Sequence, residues 1–250
     1  MSDEAASSET DEDVTSRIED APSPSAVDVP DAPADQQALA ADLLEDAKTS
    51  PGDVTHEDIA RVVALLSTDD PEARSSAAKV LQHLYNQPHL FAPYIEELLS
   101  NVGSYPEEFE GIPAPAVWMG SPHVRATIYV TDSLARVAQR QPELFVPHVE
   151  TMETMLRSDR NVSRYVLFIL GLTEAEAPGQ VSREWVRASL CDLLDRGRGN
   201  GYPSWAADVL GKLGDAEALP AIRAAHPGDD ADERTREAFD GAIEALESVE

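Results

Sequence analysis

The stretch QPHLFAPYI at residues 87–95 recurs as QPELFVPHV at residues 141–149, 54 positions further along the chain. A second correspondence precedes the two stretches, since Pro71 matches Pro122 at an offset of 51. Internal similarity of this kind is typical of repeat proteins, in which a unit buries its apolar face only by stacking on the next unit. The repeat therefore predicts stacked two-helix units.

The remaining patterns are helical. From residue 36 onward, apolar residues recur at intervals of three and four, the spacing of an amphipathic helix. Thr55 precedes Asp58 by three residues, which predicts a capping box, and Asp70 before Pro71 predicts the start of the next helix. No stretch shows the sustained alternation that a strand requires. The predicted fold class is all-α.

These motifs resemble the HEAT-repeat family. The sequences DPEAR at residues 70–74 and SPHVR at residues 121–125 are similar to the segment that opens its inner helix. PELFVP at residues 142–147 resembles the turn that opens the outer helix. The segment WAADVLGKLGDAEALPAI at residues 205–222 is similar to the short HEAT-like repeats named after phycobilisome lyases, with Gly214 as the helix terminator.

The resemblance implies a right-handed α-solenoid of about four to five helical hairpins. It also implies that Arg125 and Arg164 are ladder arginines, which we expect to pair with neighbouring acids such as Asp159. Repeats of this family serve many unrelated roles, so the resemblance concerns the fold far more than the function.

Composition divides the chain into two parts. Residues 1–35 contain 11 acidic residues, one basic residue and four prolines, and they lack an apolar period. Such a segment cannot bury enough apolar surface to offset the entropy of ordering, so we expect a disordered acidic tail. Residues 36–250 are the predicted solenoid. Residues 102–120 interrupt it with an insertion longer than the usual helix connection.

The charge indicates an environment. The chain has 47 acidic and 19 basic residues, a formal charge of −28, and only three lysines among its bases. This composition resembles that of proteins from salt-accumulating halophilic archaea, because molar salt shortens the Debye length to about 3 Å and weakens self-repulsion. An acidic protein of a mesophile is the alternative. The start of the chain lacks signal-peptide features, and no apolar run is long enough to span a membrane, so we expect a cytoplasmic protein without membrane insertion.

The acidity is uneven. Residues 120–212 contain 11 acidic and 11 basic residues and are therefore neutral. We expect Arg136, Arg160, Arg183 and Arg187 in this block to line the concave face of the solenoid and to receive an acidic partner. The alternative is that these arginines serve only the solenoid itself, for example by capping the C-terminal ends of helices.

The insertion at residues 102–120 is the second candidate surface. It contains Tyr105, Phe109, Trp118 and Met119, which belong to or resemble the residue types enriched at interface hot spots. Insertions in repeat proteins often map to the binding face, which predicts contact with a partner. The alternative is a local lid that packs back onto the solenoid, and both roles are compatible.

No pattern indicates catalysis. The six histidines lack metal-ligand spacing, Cys191 lies at helical spacing among apolar residues, and the glycine-rich loop at residues 197–203 lacks the features of a phosphate-binding loop. We therefore predict a protein that is not an enzyme, with no catalytic residue, cofactor or metal.

The predicted function is a non-enzymatic adaptor or scaffold that holds a protein partner on its concave face. Resemblance to HEAT-like proteins of halophiles suggests a signalling assembly such as taxis or motility control. The alternative from the residues is nucleic-acid binding along an arginine-bearing groove, which a charge of −28 opposes. A further alternative, an accessory lyase or chaperone, rests on the resemblance alone.

Overall fold

A computed structural model describes residues 21–102, 121–158, 164–196, 202–228 and 231–248. All regular secondary structure in these ranges is helical, which confirms the all-α class. The α-helices are α1 (Pro33–Thr49), α2 (His56–Leu66), α3 (Pro71–Leu84), α4 (Pro88–Phe91), α5 (Ile95–Ser100), α6 (Pro122–Ala138), α7 (Val149–Ser158), α8 (Arg164–Glu176), α9 (Arg183–Arg196), α10 (Tyr202–Leu213), α11 (Leu219–Ala225) and α12 (Glu233–Glu247). Short 3-10 helices lie at Pro24–Ala26, Pro51–Asp53, Ala92–Tyr94, Pro142–His148 and Ala216–Ala218.

No helix in the described ranges combines the length and the hydropathy needed to cross a membrane.

Helices α1, α3, α6, α8, α10 and α12 contact one another in chain order, and we call them the first row. The remaining helices pack beside this row: α2 contacts α1 and α3, α9 contacts α8 and α10, and α11 contacts α12. Neighbours α3 and α6 run in the same direction. Arg125 at the start of α6 donates to Glu72 at the start of α3 (3.2 Å), and Asp132 accepts from Gln82 further along both helices (3.3 Å).

The predicted helix starts and stops are confirmed where the structure describes them. Thr55 and Asp58 form a capping box at α2. The Asp70 carboxylate accepts a hydrogen bond from the Ala73 amide (2.6 Å) at the start of α3. Gly214 ends α10 with φ +67°, a conformation that favours glycine.

The repeated stretch forms the same turn twice. The Leu90 amide donates to the Gln87 carbonyl (3.0 Å), and the Leu144 amide donates to the Gln141 carbonyl (3.3 Å). The copies then differ, because the first is split into α4, a 3-10 turn and α5, whereas the second is one 3-10 helix followed by α7. Phe145 of the second copy is fully buried and anchors its turn in the core.

The ordered fold begins before the predicted boundary at residue 35. Helix α1 starts at Pro33, the 3-10 helix Pro24–Ala26 contacts α2, and Val27 and Val29 are partly buried on the core. The buried hydroxyl of Tyr94 lies within hydrogen-bond distance of the Pro22 carbonyl (3.0 Å) and the His56 carbonyl (2.9 Å). This docking could not be predicted from composition, because two valines and one backbone carbonyl provide it. Such groups give no distinctive pattern in an acidic segment. Residues 1–20 lie outside the described ranges.

Helix α8 is the most enclosed element of the first row. Its ten consecutive residues 165–174 are all buried, so it has no solvent face over that length. It lies between α6 and α10 and also contacts α7 and α9. Its approach to α10 depends on Gly171, where a Cβ atom would lie 2.5 Å from a methyl group of Val209.

A second glycine sets the distance between α10 and α12. A Cβ atom at Gly211 would lie 2.8 Å from the Cα atom of Ala242, closer than backbone can tolerate. We expect Gly211→Ala to lower the free energy of unfolding by about 1–2 kcal/mol, because overpacking outweighs the gain in helix propensity. Denaturant titration measures this change.

Gly241 provides the matched control, because it is also inside a helix but has open space around its Cα atom. Gly241→Ala should raise the free energy of unfolding by about 0.5–1 kcal/mol through helix propensity alone. Equal effects of the two substitutions would contradict the close approach of α10 and α12.

Candidate functional site

The structure describes only some of the residues predicted to contact a partner. Tyr105, Phe109, Trp118 and Met119 of the insertion lie outside the described residues, and so does Arg160. Their roles stay predictions. The other three candidates, Arg136, Arg183 and Arg187, lie in α6 and α9.

Arg136 is held on α6 by a carboxylate one turn before it. Its Nε donates to Oδ2 of Asp132 (2.9 Å), and Nε2 of Gln82 from α3 donates to the same oxygen (3.3 Å). Burial alone would lower the pKa of Arg136, but the hydrogen bond and charge of Asp132 outweigh it and raise the pKa above its ordinary value. The guanidinium is therefore a fixed positive charge.

Two aromatic rings face the same guanidinium. Its central carbon lies 5.3 Å from the ring centroid of Tyr85 and 6.0 Å from that of Trp205, distances suited to cation–π contact. One turn further, Arg140 lies 5.7 Å from Tyr85 and donates to the side-chain oxygen of Asn86 (2.6 Å). These contacts connect α3, α6 and α10.

Trp205 and Arg136 line a groove of about 580 Å³ that crosses three helices of the first row. A smaller cavity of about 370 Å³ adjoins it, because the two share Gln139 and Lys212. We call them together the α6–α10–α12 groove. Its lining residues are Arg136, Ala138, Gln139, Arg140, Pro142, Leu172, Ala175, Glu176, Ser204, Trp205, Asp208, Lys212, Arg234, Thr235, Glu237 and Ala238.

A cluster of rings fixes Trp205 at this groove. The indole stacks on buried Phe168 of α8, with ring centroids 5.7 Å apart and 15° between the planes. Tyr165 meets the indole edge-on at 5.6 Å and also contacts Tyr202. Such pairs add stability beyond their burial, so the groove presents an aromatic side chain held in one orientation.

Some cations of the groove form a salt bridge with a neighbouring carboxylate, and others do not. Lys212 is paired with Asp208 (3.0 Å), which also accepts from Gln139 (3.4 Å). Arg140 binds a neutral amide, and exposed Arg234 forms no salt bridge with another residue in the described ranges. These two cations of the groove therefore form no salt bridge with a described carboxylate, although Arg234 also interacts electrostatically with Asp232, two residues before it.

Arg187 serves the fold rather than this groove. Its guanidinium pairs with Asp215 (3.1 Å) and with Glu217, so it joins α9 to the turn after Gly214. Burial would lower the pKa of Arg187, but the charges of Asp215 and Glu217 outweigh it and raise the pKa. Arg183, one turn earlier, has no ion pair within the described ranges.

Other arginines of the neutral block also have internal partners. Arg157 donates to Glu153 (2.6 Å) and lies 4.3 Å from the ring centroid of Trp185. Arg125 pairs with Glu72 of the preceding first-row helix. Asp159, the example of an acid expected to pair with the ladder arginines Arg125 and Arg164, lies outside the described residues. Local neutrality thus reflects internal ion pairs as well as any partner surface.

The buried carboxylate of Glu174 was missed by sequence reasoning. It is 2 % exposed and accepts hydrogen bonds from the amides of Gly179 (2.9 Å), Gln180 (3.0 Å) and Val181 (3.1 Å). A carboxylate that accepts three amides closes the loop between α8 and α9, so its role is structural. The sequence signal is a glutamate in the last turn of an apolar helix, five residues before a glycine.

Among the described residues, no group of three acidic, histidine or cysteine side chains is placed to hold a metal ion. Cys191 is partly buried against the core. Burial lowers the pKa of His148 despite the opposing charges of Glu96 and Glu97.

Sequence reasoning also missed Tyr85, Asp132 and Trp205 as parts of one site. A signal was available for two of the contacts to Arg136 and Arg140. Arg136 follows Tyr85 by 51 residues and Arg140 follows Asn86 by 54, which are the two offsets of the repeat. Equivalent positions of stacked units lie side by side, so the repeat itself predicts these pairs. No comparable offset identifies Trp205.

Glu174 yields a stability prediction. We expect Glu174→Ala to lower the free energy of unfolding by about 2 kcal/mol or more, because three amides lose a charged acceptor. The matched control is Glu176→Ala, since Glu176 is exposed two residues later in the same helix. A control within about 0.5 kcal/mol of wild type is expected for a surface position. Comparable losses in both variants, measured by denaturant titration, would contradict the structural role.

Arg187 and Arg183 form a second matched pair. The Arg187 side chain is 18 % exposed and bridges two acids, so Arg187→Ala should lower the free energy of unfolding by about 1–2 kcal/mol. Arg183→Ala should change it by less than about 0.5 kcal/mol. Thermal unfolding of the two variants side by side tests the assignment, and a larger loss at Arg183 would overturn it.

Comparison of the chain with family models, with curated proteins and with solved structures found no match.

Proposed function

We propose that the chain is a non-enzymatic scaffold that binds a protein partner in the α6–α10–α12 groove. The observation that carries the proposal is the pairing of Trp205 with Arg136 at the groove surface. Tryptophan, tyrosine and arginine dominate interface hot spots, where rigid and partly desolvated side chains contribute most of the binding free energy. Here all three types meet, and each is held by packing inside the protein.

The architecture we propose is the right-handed α-solenoid of HEAT-like units. Two features support it: the helices of the first row contact one another in chain order, and α3 and α6 run in the same direction. Stacked units present an extended concave surface, which is the general means by which such proteins hold partners.

The lining of the groove favours a macromolecule over a small ligand. Small-molecule pockets are mainly apolar with a few placed polar groups. This groove instead carries seven charged side chains, together with one fixed indole. A surface of that kind resembles the polar, aromatic-centred interface of a protein complex.

We place this scaffold in the cytoplasm of a salt-accumulating cell, on the strength of its acidic, lysine-poor composition. A role in a signalling assembly such as taxis or motility control follows from the resemblance to HEAT-like proteins. The side chains of Tyr105, Phe109, Trp118 and Met119 remain proposed contributors to partner contact.

The test is quantitative co-purification with tagged protein from source cells at their native salt concentration. We expect Trp205→Ala and Arg234→Glu each to reduce recovery of the main protein partner at least tenfold, which corresponds to about 1.4 kcal/mol. Arg234 is exposed, so its substitution leaves the core intact.

Trp185→Ala is the matched control, because Trp185 lies on α9 outside the groove and contacts Arg157. It should retain partner recovery while removing an aromatic ring of the same size. Unchanged recovery with both groove variants would contradict the proposal. Recovery that depends on nucleic acid, and disappears on nuclease treatment, would favour the nucleic-acid alternative instead.

A further inference from the structure

We infer that the α6–α10–α12 groove takes an acidic peptide segment, with carboxylates that pair with Arg140 and Arg234 and an apolar side chain that packs on Trp205. This inference rests on the proposed function and names the chemistry of the partner. It does not need a change in the shape of the groove, because the indole and the Arg136 guanidinium are already fixed by their neighbours.

Charge matching inside the groove singles out two cations. Asp132 matches Arg136, and Asp208 matches Lys212. Arg140 donates to a neutral amide. Arg234 is exposed in the first turn of α12 and forms no salt bridge in the described part of the chain, although its charge acts on Asp232 two residues before it. A carboxylate of a partner can form a new ion pair with either residue without breaking an internal one.

The two cations lie in different parts of the groove, Arg140 in the smaller cavity and Arg234 in the larger one. Arg140 follows the C-terminal end of α6, whereas Arg234 lies in α12. Glu176 and Glu237 line the same groove, so its net charge is small and recognition depends on where the partner carboxylates fall. Electrostatic matching of this kind determines orientation and partner choice more than raw affinity.

A second cavity in the N-terminal part of the protein has the opposite character. Its volume is about 250 Å³, and it is lined by Asp46, Asp53 and Asp58 together with Leu43, Ser50, Val54 and Val80. No cation belongs to this lining, so an acidic segment is repelled there. Of these two sites, the α6–α10–α12 groove is therefore the one that offers cations to an acidic segment.

The test uses a displayed library of random 12-residue peptides selected against the full chain. We expect the enriched peptides to contain more Asp and Glu than the starting library, together with Trp, Phe or Leu. A fluorescently labelled copy of the most enriched peptide should bind at least tenfold more weakly to the Arg140→Glu, Arg234→Glu double variant, measured by anisotropy.

The matched control is the Lys48→Glu, Lys79→Glu double variant. It makes the same change in net charge at exposed positions on α1 and α3, outside both cavities. It should bind the peptide within about twofold of wild type, because long-range effects of surface charge are screened. Equal weakening by both double variants would overturn the inference, since general repulsion would explain it.

The outcomes distinguish failure of the acidic-peptide inference from failure of the proposed protein-binding function. Enriched peptides that are neutral or basic, and that lose binding with Trp205→Ala, would overturn the acidic partner but leave the protein-binding groove standing. The absence of any enriched peptide that depends on Trp205 would contradict both. Binding of a 12-residue thymidine oligonucleotide with the same affinity as the selected peptide would also overturn the inference, because negative charge alone would then be enough for binding.

Discussion

The enclosure of helix α8 is the constraint on which the rest of the structure depends. A helix that buries ten consecutive residues needs neighbours on every side, and α6, α7, α9 and α10 provide them. Helices approach this closely only where side chains are small, as at Gly171. The same burial positions Phe168, on which Trp205 stacks. The position of the indole in the groove is therefore a consequence of core packing.

Much of the local structure could be predicted from the sequence, because local rules determine it. The capping box at Thr55, the start of α3 at Asp70 and the end of α10 at Gly214 all follow from interactions within a few residues. The repeat offsets also predict the contacts of Arg136 with Tyr85 and of Arg140 with Asn86. Trp205 is different, since no repeat offset relates it to Arg136 and its place there depends on how α10 packs in three dimensions.

Charge was harder to interpret than hydrophobicity. A neutral block in an acidic chain indicated a partner surface, yet Arg157 and Arg187 use their charges inside the protein. Composition counts charges but does not say which of them are already paired, and pairing depends on three-dimensional neighbours. The structure reduces the candidate cations to the few whose partners are neutral or lacking among the described residues. Glu174 shows the same limit for acids, because its three backbone donors belong to a loop without any distinctive motif.

The anchoring of residues 21–32 by Tyr94 has a consequence for how the chain can change. Burial and the nearby charge of Glu97 raise the pKa of Tyr94 to about 12, so the hydroxyl keeps its proton and remains a donor. Its acceptors are main-chain carbonyls, which every amino acid possesses. The side chains of Pro22 in the docked segment and of His56 in α2 can therefore change without loss of this contact, whereas loss of the hydroxyl at position 94 removes it. The contact therefore depends on the side chain of Tyr94 and on no side chain of the residues that accept its hydrogen bond.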